Sequence, residues 1–261
     1  MTPTRVAGEL AGDVDYEREG RGYAAQRRTE PRIAARVHAA LGSARTVLNV
    51  GAGTGSYEPD GRYVLAVEPS AAMRAQRAAH LAPAIDAVAE ALPFDDASID
   101  AGMATFTVHQ WADLAKGLAE LRRVVRGPIV ILTADPSALD GWWLVEYAPE
   151  LVEVERRRYP PLDVIRSALA SDVDIQPVPV PIDCVDGFAE AYYARPEELL
   201  EPDVRRSQSA WGFVDDDVEH RFVAELERDL VSGEWDRRHG AWRTRPELEG
   251  SLRLVVARPP T

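Results

Sequence analysis

The chain contains one cysteine, Cys184, and one lysine, Lys116. A single thiol cannot close an internal disulfide, and no Cys/His cluster has zinc-ligand spacing. A disulfide scaffold is thereby excluded, and no resident metal is expected. No apolar run approaches the roughly 20 residues needed to span a bilayer. The amino-terminal stretch MTPTRVAGELAGDVDYEREGRGYAAQRRTEP has no apolar centre, so it does not read as a signal peptide. A reducing, cytoplasmic setting is the expectation. Basic charge is also scarce: 43 acidic residues outnumber 30 basic ones, for a net charge of −13. Nucleic acid and anionic membrane are therefore poor partners, since both are repelled by such a field. Arg156, Arg157 and Arg158 form a local basic run that reads as a solvated helix end. Internal repeats and low-complexity tracts are absent.

What is present is a rhythm of short apolar runs and helical stripes. The length, 261 residues, suits one large α/β domain or two small ones. The first 28 residues are polar and glycine-rich and read as a mobile arm. Pro31 suits the first position of a helix with Ile33, Val37 and Leu41 on one face and Gly42 at its end. Strand-length runs follow at TVLNV (46–50), VLAV (64–67), AIDAV (84–88), IDAGMATFTV (99–108) and IVILTA (129–134). Between them, Ser70 can cap a helix over AAMRAQRAAH. Asp113 can cap one that carries Leu114, Leu118, Leu121 and Val125. This alternation predicts a doubly wound, mostly parallel sheet. Farther on, GWWLVEYAPELVEVERRR, PLDVIRSALA, VDGFAEAYYARPEELL and DDDVEHRFVAELERDLVSG read as helices. DIQPVPVPIDC reads as an edge strand because of its prolines, and SLRLVVARP as a terminal strand.

The chemistry concentrates in VLNVGAGTGSYEPDGRYVLAVEPS, residues 47–70. Three glycines, Gly51, Gly53 and Gly55, follow the first strand. Glycines there leave backbone N–H groups free to face a ligand. Glu68 ends the next strand, where a carboxylate can accept from two vicinal ribose hydroxyls. The spacing is G-x-G-x-G rather than the dinucleotide pattern G-x-G-x-x-G, and no phosphate-loop lysine follows. Only SYEPDGRY separates Gly55 from Val64, too little for a crossover helix.

These stretches resemble the class I S-adenosylmethionine-dependent methyltransferases, in particular bacterial small-molecule members. VLNVGAGTGSYEP is similar to their first motif and VLAVEPSAAM to their second. AVAEALPFDDASIDAGMATFTVHQW is similar to the adenine loop and fourth strand, and LAELRRVVRGPIVILTADP to the following helix and strand. The resemblance covers about residues 30–136. It implies a seven-stranded Rossmann-like sheet with helical cap segments. It also implies S-adenosyl-L-methionine as cofactor and a small-molecule acceptor. The cofactor would lie against Asn49, Gly51, Ala52, Gly53, Glu68, Pro69 and Met73. Ala89, Glu90 and Ala91 would border its base, and Thr105, Phe106 and Thr107 its reactive end. Tyr16, Tyr23, Arg27 and Arg28 of the amino-terminal arm are candidates to close over its carboxylate. Two family acids are missing: Asn49 stands two residues before the first glycine, and Val88 stands where the adenine partner is expected. Asp86 and Glu90 flank Val88 on the same facing of an extended segment.

His109 is the histidine nearest this site and a candidate general base. The competing reading is a structural role at a helix entry. Trp142, Trp143 and Tyr147 follow the fifth strand and are candidate acceptor-pocket walls. The expected organisation is an arm and lid helix over 1–45 and a methyltransferase domain over 46–261, with a helical cap at about 137–215. Two other functions stay open: a protein that binds S-adenosylmethionine without methylating, and an NAD-dependent oxidoreductase.

Overall fold

Val47, Leu48, Asn49 and Val50 are all buried. A strand can bury consecutive residues only when both faces of its sheet are covered. The computed structural model describes residues 23–169 and 172–259 and shows that arrangement. Its strands are β1 Thr46–Val50, β2 Tyr63–Val67, β3 Ala84–Ile85, β4 Ala101–Thr105, β5 Ile129–Ala134, β6 Asp172–Pro177, β7 Val180–Pro181, β8 Glu247–Leu248 and β9 Leu252–Arg258. Seven of them form one sheet in the order β3-β2-β1-β4-β5-β9-β6, and β7 and β8 form a separate pair. β1 lies parallel to both β2 and β4, with Val50 opposite Val67 and Asn49 opposite Met103. β9 runs antiparallel to β5 and to β6. The chain leaves β1 toward β2 and β3, then returns to the other side for β4. Strand order thus reverses between β1 and β4, where open α/β sheets hold their ligands.

The two faces follow the period of two. Val47, Met103, Val130 and Leu132 pack with Ile33, Val37 and Leu41 of the helix Pro31–Ala40 and its end. Leu48, Val50, Ala104 and Ile131 pack with Leu118, Leu121, Ile165 and Leu169 on the opposite face. Both predicted caps form. The Asp113 carboxylate accepts from Lys116 N–H at 3.0 Å, and the Ser70 hydroxyl from Met73 N–H at 3.2 Å. Among the described residues, no helix is long and apolar enough to cross a membrane.

Several elements depart from expectation, each for a local reason. The helix predicted over 71–80 is only Ala71–Ala75, because Arg77 turns away to bond the Ala82 carbonyl and Glu58. β3 keeps two of five expected residues. The fourth strand stops at Thr105, since Phe106 adopts φ 54°, a conformation no strand contains. Pro149 splits the long helix after β5 into Leu144–Tyr147 and Pro149–Arg158. VDGFAEAYYARPEELL forms two 3-10 turns, Ala189–Tyr192 and Pro196–Leu200, with Pro196 opening the second. Residues 23–28, read as part of a mobile arm, are tied down. Gly187 N–H donates to Gln26 O at 3.0 Å, and Arg27 Nε to Asp186 at 2.7 Å.

The expected lack of a crossover helix between β1 and β2 is borne out, and a buried ion pair occupies its place. Arg77 Nη2 reaches both Glu58 oxygens, at 2.9 and 3.0 Å, with the two side chains only 4% and 3% exposed. Asn49 Nδ2 donates to the same carboxylate at 3.0 Å. Both charges are compensated, so removing one partner strands the other in a low-dielectric site. Glu58→Ala is therefore expected to lower unfolding free energy by about 3–5 kcal/mol in urea titration; a loss below about 1 kcal/mol would show the pair to be solvated. The second anchor is aromatic. Trp143 packs edge-on against Trp142, Tyr147 and Trp235 and donates to Tyr193 O at 2.8 Å. Trp143→Ala should cost about 3–5 kcal/mol by the same measurement.

Candidate functional site

The turn after β1 is built on bare backbone. Gly51 has φ +66°, and a Cβ there would lie 2.0 Å from Thr107 Oγ1. Only glycine lets the end of β1 meet the segment after β4 this closely. Ala52 N–H then donates to Val67 O at 2.9 Å, locking the turn to β2. Gly53 N–H donates to Glu68 Oε2, and Ser70 N–H to Glu68 Oε1, both at 2.8 Å. Glu68 is 7% exposed, and burial raises its pKa against the pull of these donors and of Arg74 and Arg77. Each carboxylate oxygen accepts one backbone N–H, which leaves one acceptor position on each. Two free acceptor positions match the two adjacent hydroxyls of a ribose. Met73 Cε lies 3.4 Å from where a Gly53 Cβ would stand, giving this corner an apolar wall, and Pro69 is half-buried beside it. The cradle fits a nucleoside cofactor.

Asn49 is fully buried. Its Nδ2 must face Glu58, since a carboxylate only accepts, and this leaves Oδ1 without a partner among the described residues. The carboxylate at the head of the turn is thus Glu58, delivered by the crossover loop. Sequence reasoning passed over Glu58. The amide at position 49 was the available signal, because it prompts a search for a nearby replacement charge.

In the stretch expected to border the base, Ala89 is buried beside Gly117, and Ala91 N–H closes a turn on Val88 O at 3.2 Å. Glu90 accepts from Asp113 N–H at 2.9 Å, and exposed Asp86 pairs with Arg74 at 3.1 Å. Both acids are thus engaged by the protein.

At the end of β4, Thr105 is half-buried, Phe106 turns in the left-handed region, and Thr107 packs on Gly51. The Phe106 ring sits 6.2 Å from Tyr57 and 5.2 Å from Phe188, with the Arg27 guanidinium 5.0 Å above it. Asp186 joins these pieces, accepting from Arg27 Nε and from the Tyr57 hydroxyl, each at 2.7 Å. Burial and Asp186 raise the Tyr57 pKa well above its ordinary value, so Tyr57 stays a donor. Neither Tyr57 nor Asp186 was legible as a site residue, since their contact spans 129 positions. Tyr16 and the Tyr23 side chain lie outside the described residues, and Arg28 is exposed.

Beyond Phe106 a pocket opens over the ends of β4 and β5. It holds about 850 Å³ of empty space, its mouth included. Phe106, His109, Trp142, Tyr159 and Phe188 line it with several leucines, and Arg27, Gln110, Glu155, Glu190 and Gln208 add polar groups. Of the three aromatics expected here, Trp142 lines the pocket, whereas Trp143 and Tyr147 belong to the core cluster. The His109 ring lies 4.3 Å from Tyr159. Burial, with the positive charges of Arg158 and Arg27, holds its pKa well below the usual histidine range. It is a neutral imidazole at pH 7.

Comparison with known proteins agrees with this geometry. Residues 48–128 match the methyltransferase domain family. A methyltransferase named from an antibiotic biosynthesis pathway of Anabaena variabilis is 31% identical, with a TM-score of 0.83 over 89% of this chain and 98% of that one. An S-adenosylmethionine-dependent methyltransferase from Thermotoga maritima shares the fold at 16% identity, TM-score 0.54, over 93% of this chain and 97% of that one. The [4+2]-cyclase SpnF shares it at 14% identity, TM-score 0.50, over 88% and 81%. No curated protein matches the chain in sequence. Its cofactor is S-adenosylmethionine, and the oxidoreductase reading falls away. By its sheet, its glycine turn and its likeness to the Anabaena protein, the chain belongs to the class I S-adenosylmethionine-dependent methyltransferases.

Proposed function

We propose that this methyltransferase acts on a small, ring-bearing, largely apolar metabolite held in the pocket above β4 and β5. The observation that carries the reading is the pocket wall: Phe106, Trp142, Tyr159 and Phe188 with Leu139, Leu151 and Leu252. A site of that composition takes an apolar body and orients it by a few polar groups. Much of the wall comes from two segments, about 1–45 through Arg27 and about 137–215 through Leu139 to Ala210, which act as the cap over the strand ends. The net charge of −13 argues against nucleic acid as the acceptor. Cys184, buried and with its pKa pushed up to about 12, suits a reducing cytoplasm.

On this reading Glu68 and the Gly51–Gly53 turn hold the nucleoside, with Ala52, Pro69 and Met73 shaping its cradle. Ala89, Glu90 and Ala91 border the base. Asn49 faces the amino-acid end, and Arg27 closes over it. Thr105, Phe106 and Thr107 separate this crevice from the pocket, where His109 meets the acceptor. S-adenosylmethionine, when bound, supplies a methyl group already activated for displacement. The chain's part is to align the acceptor and exclude water, which can supply much of the acceleration.

Calorimetry with S-adenosylhomocysteine tests the cradle. Glu68→Ala should weaken binding by at least about tenfold, the loss of hydrogen bonds to a charged acceptor. Gly51→Val should abolish binding through its clash with Thr107. Unchanged affinity in both would remove the site. Transfer of a labelled methyl group to hydroxylated aromatic compounds tests the acceptor class; label appearing only in macromolecules would refute it.

A further inference from the structure

The acceptor pocket carries two donor groups that no described residue uses. The first is on His109. Gln110 Nε2 lies 3.2 Å from His109 Nε2. An amide nitrogen only donates, so His109 Nε2 accepts, and the single proton of the neutral ring sits on Nδ1. That Nδ1 is buried and lacks a partner among the described residues. The second is the Nε2 of Gln208, likewise buried and unpartnered there. Gln208 follows the helix Pro202–Arg206 and faces the same pocket. Buried donors without acceptors are rare in folded proteins, and two in one cavity point to oxygens on the ligand.

The charges that act on the imidazole are positive. Arg27 lines the pocket, and Arg158, whose Nη1 donates to Ser209 Oγ at 3.1 Å, acts on His109 from the helix Pro149–Arg158. Burial is the larger cause, and these charges add to it in disfavouring a second proton on the imidazole; they also favour negative charge on a ligand beside it, Arg27 less so because Asp186 pairs with it. The acids facing the pocket are Glu155 and Glu190. Glu190 accepts from Ser251 N–H at 2.8 Å, and burial raises its pKa against the pull of Ser251 and Arg253. The remaining titratable neighbour is Tyr159, stacked on the imidazole.

We propose that the acceptor is an acidic hydroxyl on an unsaturated carbon, a phenol or an enol, bound as its oxyanion. The His109 Nδ1–H donates to the reacting oxygen, and the Gln208 amide donates to a second, uncharged oxygen such as a carbonyl. The inference rests on the function proposed above and makes His109 a donor rather than a proton acceptor. The hydroxyl gives its proton to water on binding. The oxyanion's electron pair then forms the O–CH3 bond while the methyl–sulfur bond breaks and leaves its pair on sulfur. Negative oxygen and positive sulfur neutralise together, and no proton moves in that step.

Para-nitrophenol is a suitable probe, because it carries a second pair of oxygens and its colour reports its ionisation. With the full chain and saturating S-adenosylhomocysteine, the bound dye should ionise at least about one pH unit below the free dye, a tenfold change in its acid constant. His109→Ala should abolish this shift, and His109→Asn, which restores an N–H donor, should keep most of it. Gln208→Leu should weaken dye binding about fivefold or more while leaving the shift in place. An unbound dye, an unmoved or raised ionisation pH, tighter binding of para-nitrobenzoate, or imidazole nitrogen NMR shifts placing the His109 proton on Nε2 would each overturn the proposal. Should His109→Ala fail to fold, the wild-type shift, the imidazole NMR and Gln208→Leu still decide. Affinity for S-adenosylhomocysteine in the same samples separates two failures. If it persists, only the oxyanion assignment falls; if it is absent, the proposed function falls too.

Discussion

The close approach of Gly51 to Thr107 is the constraint on which the site depends. β1 and β4 are neighbours in the sheet, and the chain departs from them in opposite directions. A crevice opens between such strands by topology alone. Its depth is set by how near the two strand exits come. A Cβ on residue 51 would lie 2.0 Å from the Thr107 hydroxyl, so any other residue would push the exits apart. Phe106 meets the same constraint from the other side. Its left-handed backbone ends β4 abruptly and turns Thr107 back toward the glycine. Such a conformation in a bulky residue is strained and persists only where the surroundings over-determine it. Tyr57, Phe188 and Arg27 around the ring are those surroundings.

The absent crossover helix changes the electrostatics of the turn. A helix would bring its positive end beneath the ligand. Here a loop occupies that place, and the buried Glu58–Arg77 pair closes on itself while steering Asn49. A diphosphate would be poorly served by that arrangement, and a cofactor whose tail holds both an ammonium and a carboxylate needs less from it.

Much of this was open to reading in the chain, and what was not had a common cause. β1 and β5 match their apolar runs residue for residue, and β2 extends its run by Tyr63. The Ser70 and Asp113 caps, the Pro31 start and the Glu68 placement are local signals, set by residues within a few positions of one another. Periodicity carried the sheet, and the family likeness carried the cofactor. The errors came where local preference met distant contacts. AAMRAQRAAH has good helix formers throughout, yet Arg77 is drawn out of the helix by Glu58, 19 positions earlier. FAEAYY looks like one element, but it divides by side chain. Phe188, Ala189 and Glu190 line the pocket, and Tyr192 and Tyr193 enter the core. Asp186 sits in a loop without periodicity, and only the folded chain brings Arg27 and Tyr57 to it.

Those three residues also explain how two sites can work as one. Displacement at carbon requires donor and acceptor to be aligned to a fraction of an ångström, and a misplacement of about 1 Å can cost a hundredfold in rate. The Glu68 cradle belongs to the sheet, and the pocket beyond Phe106 draws largely on segments that follow β5. Left to separate loops, their relative position would drift. Asp186 fixes it by accepting from Tyr57, which lies in the glycine-turn loop, and from Arg27, which lines the pocket beyond Phe106. One buried carboxylate thereby references both halves to the Phe106 ring between them. Both bonds are 2.7 Å, and both partners can only donate here, because the Arg27 guanidinium has no acceptor and the Tyr57 hydroxyl keeps its proton. The clamp has one arrangement, and the distance across the site follows from it.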